Sequence, residues 1–176
     1  MLEFGPANTL CVADQLSGAI HAYTLPQSGE PPKQDAAFNL LDLDPLVSDV
    51  LGTTGRLVYG DLAVHPVTRD AYVSVTGMFD GVETVAVVSI ARDGTVERID
   101  LEALSSTSFE LEDTADDDVT FWRDIPAAPL TVTDLDYTTG ELFVSGVSTG
   151  EFASTMRRVP SPFETTATSS SNEIYN

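Results

Sequence analysis

Apolar and polar positions alternate with period two over much of the chain, the signature of half-buried β-strands. The pattern is clearest in DLAVHPVTRDAYVSV, residues 61–75, and recurs in TDLDYTTGELFVSGV, residues 133–147. Each copy has an Asp-Leu pair, an alternating strand, a polar turn and a second apolar strand. A weaker copy opens the chain. There Leu2-Glu3-Phe4 takes the place of Leu62-Ala63-Val64 and of Leu135-Asp136-Tyr137. Leu10-Cys11-Val12 likewise matches Ala71-Tyr72-Val73 and Leu142-Phe143-Val144. The turns between the strands carry Pro, which fixes φ, and Asn, Asp or Gly, which tolerate unusual dihedrals.

The middle copy continues furthest. The pattern predicts strands over 61–65, 71–76, 84–91 and 95–101, with MFDGVE as a loop and Asp93-Gly94 as a hairpin turn. A four-stranded meander that recurs along a chain is the unit of a β-propeller. Blade-like units are expected at about 1–26, 57–102 and 129–164, the middle one full and the others partial or irregular. Between the first two, DPLVSDVL predicts a short helix over 45–51, with Asp44 as N-cap, Pro45 in its first turn and Gly52 at its end. Residues 103–128 are expected to form an acidic insert and 165–176 a Thr/Ser-rich connection. The expected fold is therefore all-β: a propeller-type stack of four-stranded antiparallel blades over 1–164, incomplete because a closed propeller needs about 4–8 blades.

A length of 176 residues suffices for a buried core, and a hydrophobic content of 42% excludes a disordered composition. The charge narrows the choice of partner. Eight basic against 28 acidic residues leave a net charge of −20, which disfavours nucleic acid and anionic membranes and favours cations or basic partners. No apolar run is long enough to span a bilayer, and no signal peptide is visible. Cys11 stands alone, so no intrachain disulfide is expected, and its apolar strand makes it a small hydrophobe.

The stretches GDLAVHPVTRDAYVSVTG, LTVTDLDYTTGELFVSGVSTGEFASTMRRVPSPF and SSSNEIYN resemble a largely uncharacterised family of bacterial β-propeller repeat proteins. The order of segments fits as well: a VADQLSGAIHAY opening, a helix ending in VLGTTG, then the DLAVHP blade. The resemblance covers most of the chain outside the acidic insert. It implies a longer, exported parent, periplasmic or extracellular, with further blades or self-association. It carries no known reaction.

Asp61 and Asp134 occupy equivalent places at the start of strands that would face a propeller channel. Converging carboxylates there would suit a hard cation such as Ca²⁺. Met1 takes the equivalent place in the first copy, and the plainer reading has each Asp cap a turn or face water. His65 and His21 lack metal-ligand spacing, and no GxSxG elbow or Ser/His/Asp arrangement marks a nucleophile. No catalytic residue is assigned. Asp116-Asp117-Asp118 lacks the alternation of a calcium loop and reads as a solvated turn. Trp122 is a candidate to pin the acidic insert or to contact a partner, and Arg157-Arg158 to hold an anion or a partner's carboxylate. These features favour a non-catalytic binding or interaction scaffold, its ligand a protein or a small molecule. The alternative is a propeller hydrolase or lactonase with a divalent cation in its channel.

Overall fold

The computed structural model describes residues 1–26, 39–79, 81–115, 119–121, 124–148, 154–161, 163 and 170–174. Alternation becomes strand wherever it is strongest. In chain order these are β1 (Leu2–Phe4), β2 (Thr9–Asp14), β3 (Ala19–Thr24), β4 (Val58–Val64), β5 (Ala71–Phe79), β6 (Val82–Ile90) and β7 (Val96–Ile99). After them come β8 (Ser106–Glu110), β9 (Thr120–Phe121), β10 (Ile125–Pro126), β11 (Asp134–Thr138), β12 (Glu141–Val147), β13 (Ser154–Pro160) and β14 (Ser170–Ile174). The chain is all-β, with one α-helix among the described residues, α1 (Asp44–Leu51). Three sheets have four strands each, ordered β1-β2-β3-β8, β4-β5-β6-β7 and β11-β12-β13-β14, and β9 pairs with β10 as a short ribbon.

Two compact units share these sheets. Residues 25–104 form a central unit, and the flanking segments 3–24 and 105–176 form the other. The chain thus leaves the first sheet after β3, builds the central unit, and returns as β8 to complete that sheet. The return is tight: the Thr24 amide donates to the Ser105 carbonyl at 2.9 Å, and Tyr23 and Ser106 are register partners. The stretch expected as an acidic insert therefore contributes a structural strand. Its Phe109 and Leu111 alternate onto the apolar face, two residues apart.

In the flanking unit, β2, β3 and β8 present Cys11, Ala13, Ile20 and Phe109. They meet Leu135, Leu142, Val144 and Val159 of β11–β13 in one apolar cluster. Burying each of the larger side chains stabilises the fold by about 1.5–3 kcal/mol relative to exposure. β12 and β13 pair from Glu141↔Pro160 to Val147↔Ser154, and β14 continues the ladder from residues expected as a connection. Gly146 is obligatory in β12. A Cβ there would lie 1.9 Å from the Thr131 carbonyl oxygen, so a side chain would expel the 3-10 turn that ends at Leu130.

In the central unit, α1 lays Val47 and Leu51 onto Ala71, Val73, Val75, Ala86, Val88 and Ile90. Gly52 ends the helix in the left-handed region at φ 66°, as its position predicts. Asp44 differs from expectation. Leu43 is the N-cap, and the Asp44 carboxylate accepts the Tyr59 hydroxyl at 2.7 Å instead of a helix amide. Strands β5 and β6 also run further than their sequence suggests, taking in Met78, Phe79, Val82 and Glu83 of the expected MFDGVE loop, with Gly81 at φ 81° before β6. The hydrogen-bonded ladder continues through Met78↔Glu83 and Phe79↔Val82, although Val82 and Glu83 face solvent.

Candidate functional site

The central sheet has a second face, opposite α1. Its register places Tyr72 beside Ser89 and Ser89 beside Glu97, so a phenol, a hydroxyl and a carboxylate form one row across β5, β6 and β7. The turn before β5 brings Thr68 and Asp70 to one end of this row, and Asp100 follows β7. These groups line an open groove of about 440 Å³, with Leu25, Pro26 and Leu104 as apolar wall. Such a volume lies within the range of small-ligand sites. Arg98 also reaches the groove, so the lining holds three carboxylates against one guanidinium.

Burial first, and then the charges of Asp70 and Glu97, raise the Tyr72 hydroxyl above its ordinary pKa. The phenol therefore stays protonated and polar within a negative field. Its ring is buried, 9% exposed, so the groove has a rigid aromatic floor. Among the described residues no group of three His, Cys, Asp or Glu side chains could hold a metal ion. Carboxylates spaced along a groove have the chemistry to complement an ammonium or guanidinium.

The turn that carries Thr68 and Asp70 is built around His65. This side chain is fully buried, and its Nδ1 accepts the Val67 amide at 3.2 Å and the Thr68 amide at 3.0 Å. The His65 amide donates to the Asp70 carbonyl at 2.8 Å, and the Arg69 amide to the His65 carbonyl at 3.0 Å. His65 is thus the internal acceptor of a six-residue turn.

The residues expected to carry function fall in different settings. Asp61 lies at a β-bulge, where the register shifts between Tyr59 and Leu62. Its carboxylate accepts the Leu62 amide at 2.8 Å, and its own amide donates to Ser74 Oγ at 2.8 Å. Asp134 is exposed at the start of β11 and accepts the Leu135 amide at 3.0 Å. Each carboxylate is engaged by the amide of the residue after it.

Arg157 is a core residue with no exposed surface. Its Nε donates to Asp113 Oδ1 at 2.8 Å, Nη1 to the Thr131 carbonyl at 3.1 Å, and Nη2 to the Val147 carbonyl at 2.9 Å. It ties three segments of the flanking unit together and presents nothing to an outside anion. The strand alternation explains this, because Arg157 shares a face with Val159 while Arg158 points the other way. Arg158 is exposed, paired with Glu141 and lies 6.0 Å above the Phe143 ring. Trp122 and Asp116-Asp117-Asp118 lie outside the described residues.

The Tyr72–Ser89–Glu97 row escaped sequence reasoning. One signal was present: the Asp93-Gly94 turn fixes the β6–β7 register and so pairs Ser89 with Glu97. Compared with models of protein families, with curated proteins and with solved structures, the chain matches none.

Proposed function

We propose that the protein is a non-catalytic binding scaffold built from propeller-type blades, and that the central-unit groove is its binding site for a cationic organic group. The observation that carries this reading is the groove itself, in which Asp70, Glu97 and Asp100 stand around the buried Tyr72 ring. The blade reading is supported by three four-stranded sheets, two of which are meanders in unbroken strand order. In the first sheet the outer strand arrives only after the central unit has been made. The resemblance to exported bacterial propeller repeats supports the same reading and suggests a periplasmic or extracellular setting.

An amine or guanidinium would sit between Glu97 and Asp70, with its apolar stem against Leu25, Pro26 and the Tyr72 ring. The test is calorimetric titration with phenethylammonium, and with sodium chloride at equal ionic strength as control. Glu97→Gln should weaken phenethylammonium binding at least fivefold, and Glu112→Gln, outside the groove lining, should not. Equal loss in both variants would mean that the cation binds to the acidic surface at large, and would remove the site.

A further inference from the structure

Three of the strand-connecting turns among the described residues are held by a side chain that accepts amides further along the same turn. In the β2–β3 turn, Asp14 Oδ1 accepts the Leu16 amide at 3.0 Å and the Ser17 amide at 3.3 Å. In the β6–β7 turn, Asp93 Oδ1 accepts the Thr95 amide at 2.9 Å. In the β4–β5 turn the acceptor is His65 Nδ1, on the amides two and three residues ahead, the same pattern as Asp14. A carboxylate is the ordinary acceptor in such turns. It stays an acceptor down to strongly acidic pH, and at Asp14 the bonds from Ser17 and Leu16 outweigh desolvation and lower the pKa further. An imidazole nitrogen accepts only while it is unprotonated. Among these three turns, the His65 turn alone has an acceptor that is lost when a ring nitrogen takes up a proton, and its Thr68 and Asp70 stand at the wall of the groove.

We propose that the His65 turn is an acid-sensitive latch on the groove: with Nδ1 unprotonated it holds Thr68 and Asp70 in the wall, and protonation of Nδ1 opens the turn and dismantles that wall. The geometry makes the change two-fold. A protonated Nδ1 is a donor facing two donors, so the Val67 and Thr68 amides both lose their acceptor, and the Thr68 bond lies in the buried part of the turn. Thr68, whose amide is one of these, lines the groove, as does Asp70, whose carbonyl accepts the His65 amide. Asp70 is a charged group that acts on the ring, and the Tyr72 ring lies 6.4 Å away, tilted by 36°. Asp70 favours the imidazolium, but burial disfavours it more, and the pKa lies below the ordinary 6.5. A folded-state pKa below that of the unfolded chain means that the turn's contribution is complete above about pH 6.5 and is lost as pH falls through the folded value.

The proposal rests on the reading of the groove as a binding site, but the turn can be observed without any ligand. The experiment is NMR on the whole chain from pH 8 downward until the His65 ring has titrated. The ¹⁵N shifts of the two histidine rings are followed with the protection factors of backbone amides, which divide out the intrinsic pH dependence of exchange. At pH 8 the His65 ring should carry its proton on Nε2. As the ring titrates, protection at Val67 and Thr68 should fall roughly fivefold or more, with the same midpoint. The Leu16 and Ser17 amides, held by Asp14, should keep theirs.

In His65→Asn, the side-chain oxygen replaces Nδ1 as acceptor, and protection at 67 and 68 should persist through the pH range in which the wild-type ring titrates. Unchanged protection in the wild type as His65 titrates would overturn the proposal, as would the same acid transition in His65→Asn. A parallel series with phenethylammonium separates the two claims. If the turn opens but the cation binds nowhere in the groove at pH 8, the latch stands and the binding reading falls. If the cation binds equally at pH 8 and at the pH where the His65 ring is fully protonated, the groove stands and the latch falls.

Discussion

Replacing Arg157 by Met and Asp113 by Ala, singly and together, probes how the flanking unit holds its long return segment. Arg157 is fully buried, whereas the Asp113 side chain is 32% exposed. The two single changes therefore differ in what they strand. Arg157→Met fills most of the volume and lets Asp113 rehydrate, but leaves the Thr131 and Val147 carbonyls without their guanidinium donors. Two weakened carbonyls at about 1–3 kcal/mol each, partly offset by new apolar burial, give a cost of about 2–4 kcal/mol. Asp113→Ala leaves an arginine with zero exposure and no countercharge, the costlier error at about 3–5 kcal/mol. The double change removes both charges, and should cost less than the sum by about 1–3 kcal/mol. The assay is urea unfolding read by labelling of Cys11, which is buried in the core of this same unit. With a slope of about 1–3 kcal/mol per molar urea, a 3 kcal/mol loss moves the midpoint by roughly 1–3 M. A double mutant equal to the sum of the singles, or an Asp113→Ala midpoint within error of wild type, would refute the argument.

Gly146→Ala should cost about 2–4 kcal/mol, because its Cβ would drive the Thr131 carbonyl away from Arg157; Gly140→Ala, at φ 87° in open space, should cost only the backbone strain of about 1–2 kcal/mol, and thermal melts compare the two. The Cys11 thiol is pushed up to about 12, by burial first and then by Glu3, so a thiol reagent at pH 8 should label it only after unfolding; rapid labelling of the native protein would contradict its place in the core. With a net charge of −20, the melting temperature should rise with sodium chloride up to about 0.1 M, where the Debye length reaches about 10 Å; a flat or falling series would mean that the charges do not oppose folding.

Much of the fold was legible because alternation and turn chemistry agree locally. The Asp93-Gly94 hairpin, the end of α1 at Gly52 and the strands around Val73 and Val144 all follow from patterns within ten residues. The closing strands were harder to see. β8 reads STSFE, with three hydroxyl side chains and a flanking acidic run that masked the Phe109–Leu111 alternation. β14 reads SSNEI and is placed by its backbone ladder to β13, a force that leaves little trace in side-chain pattern. Arg157 shows the same limit in reverse. Two adjacent arginines look like one basic feature until period two sends one inward and one outward. His65 looked inert because its chemistry lies in a turn hydrogen bond, where sequence shows the residue type but not the acceptor geometry. The groove row across Tyr72, Ser89 and Glu97 needed two registers at once, and the first depends on how tightly β5 turns into β6.

The most direct test of the functional account is an NMR titration of the whole chain with phenethylammonium at pH 8 and about 0.1 M sodium chloride, where surface attraction is screened beyond about 10 Å. The account predicts saturable shifts centred on Tyr72, Ser89, Glu97 and Asp70, abolished in a Tyr72→Ala, Glu97→Gln double variant whose spectrum otherwise stays dispersed. Shifts that rise without saturation at acidic residues throughout both units, and that remain in the double variant, would contradict it.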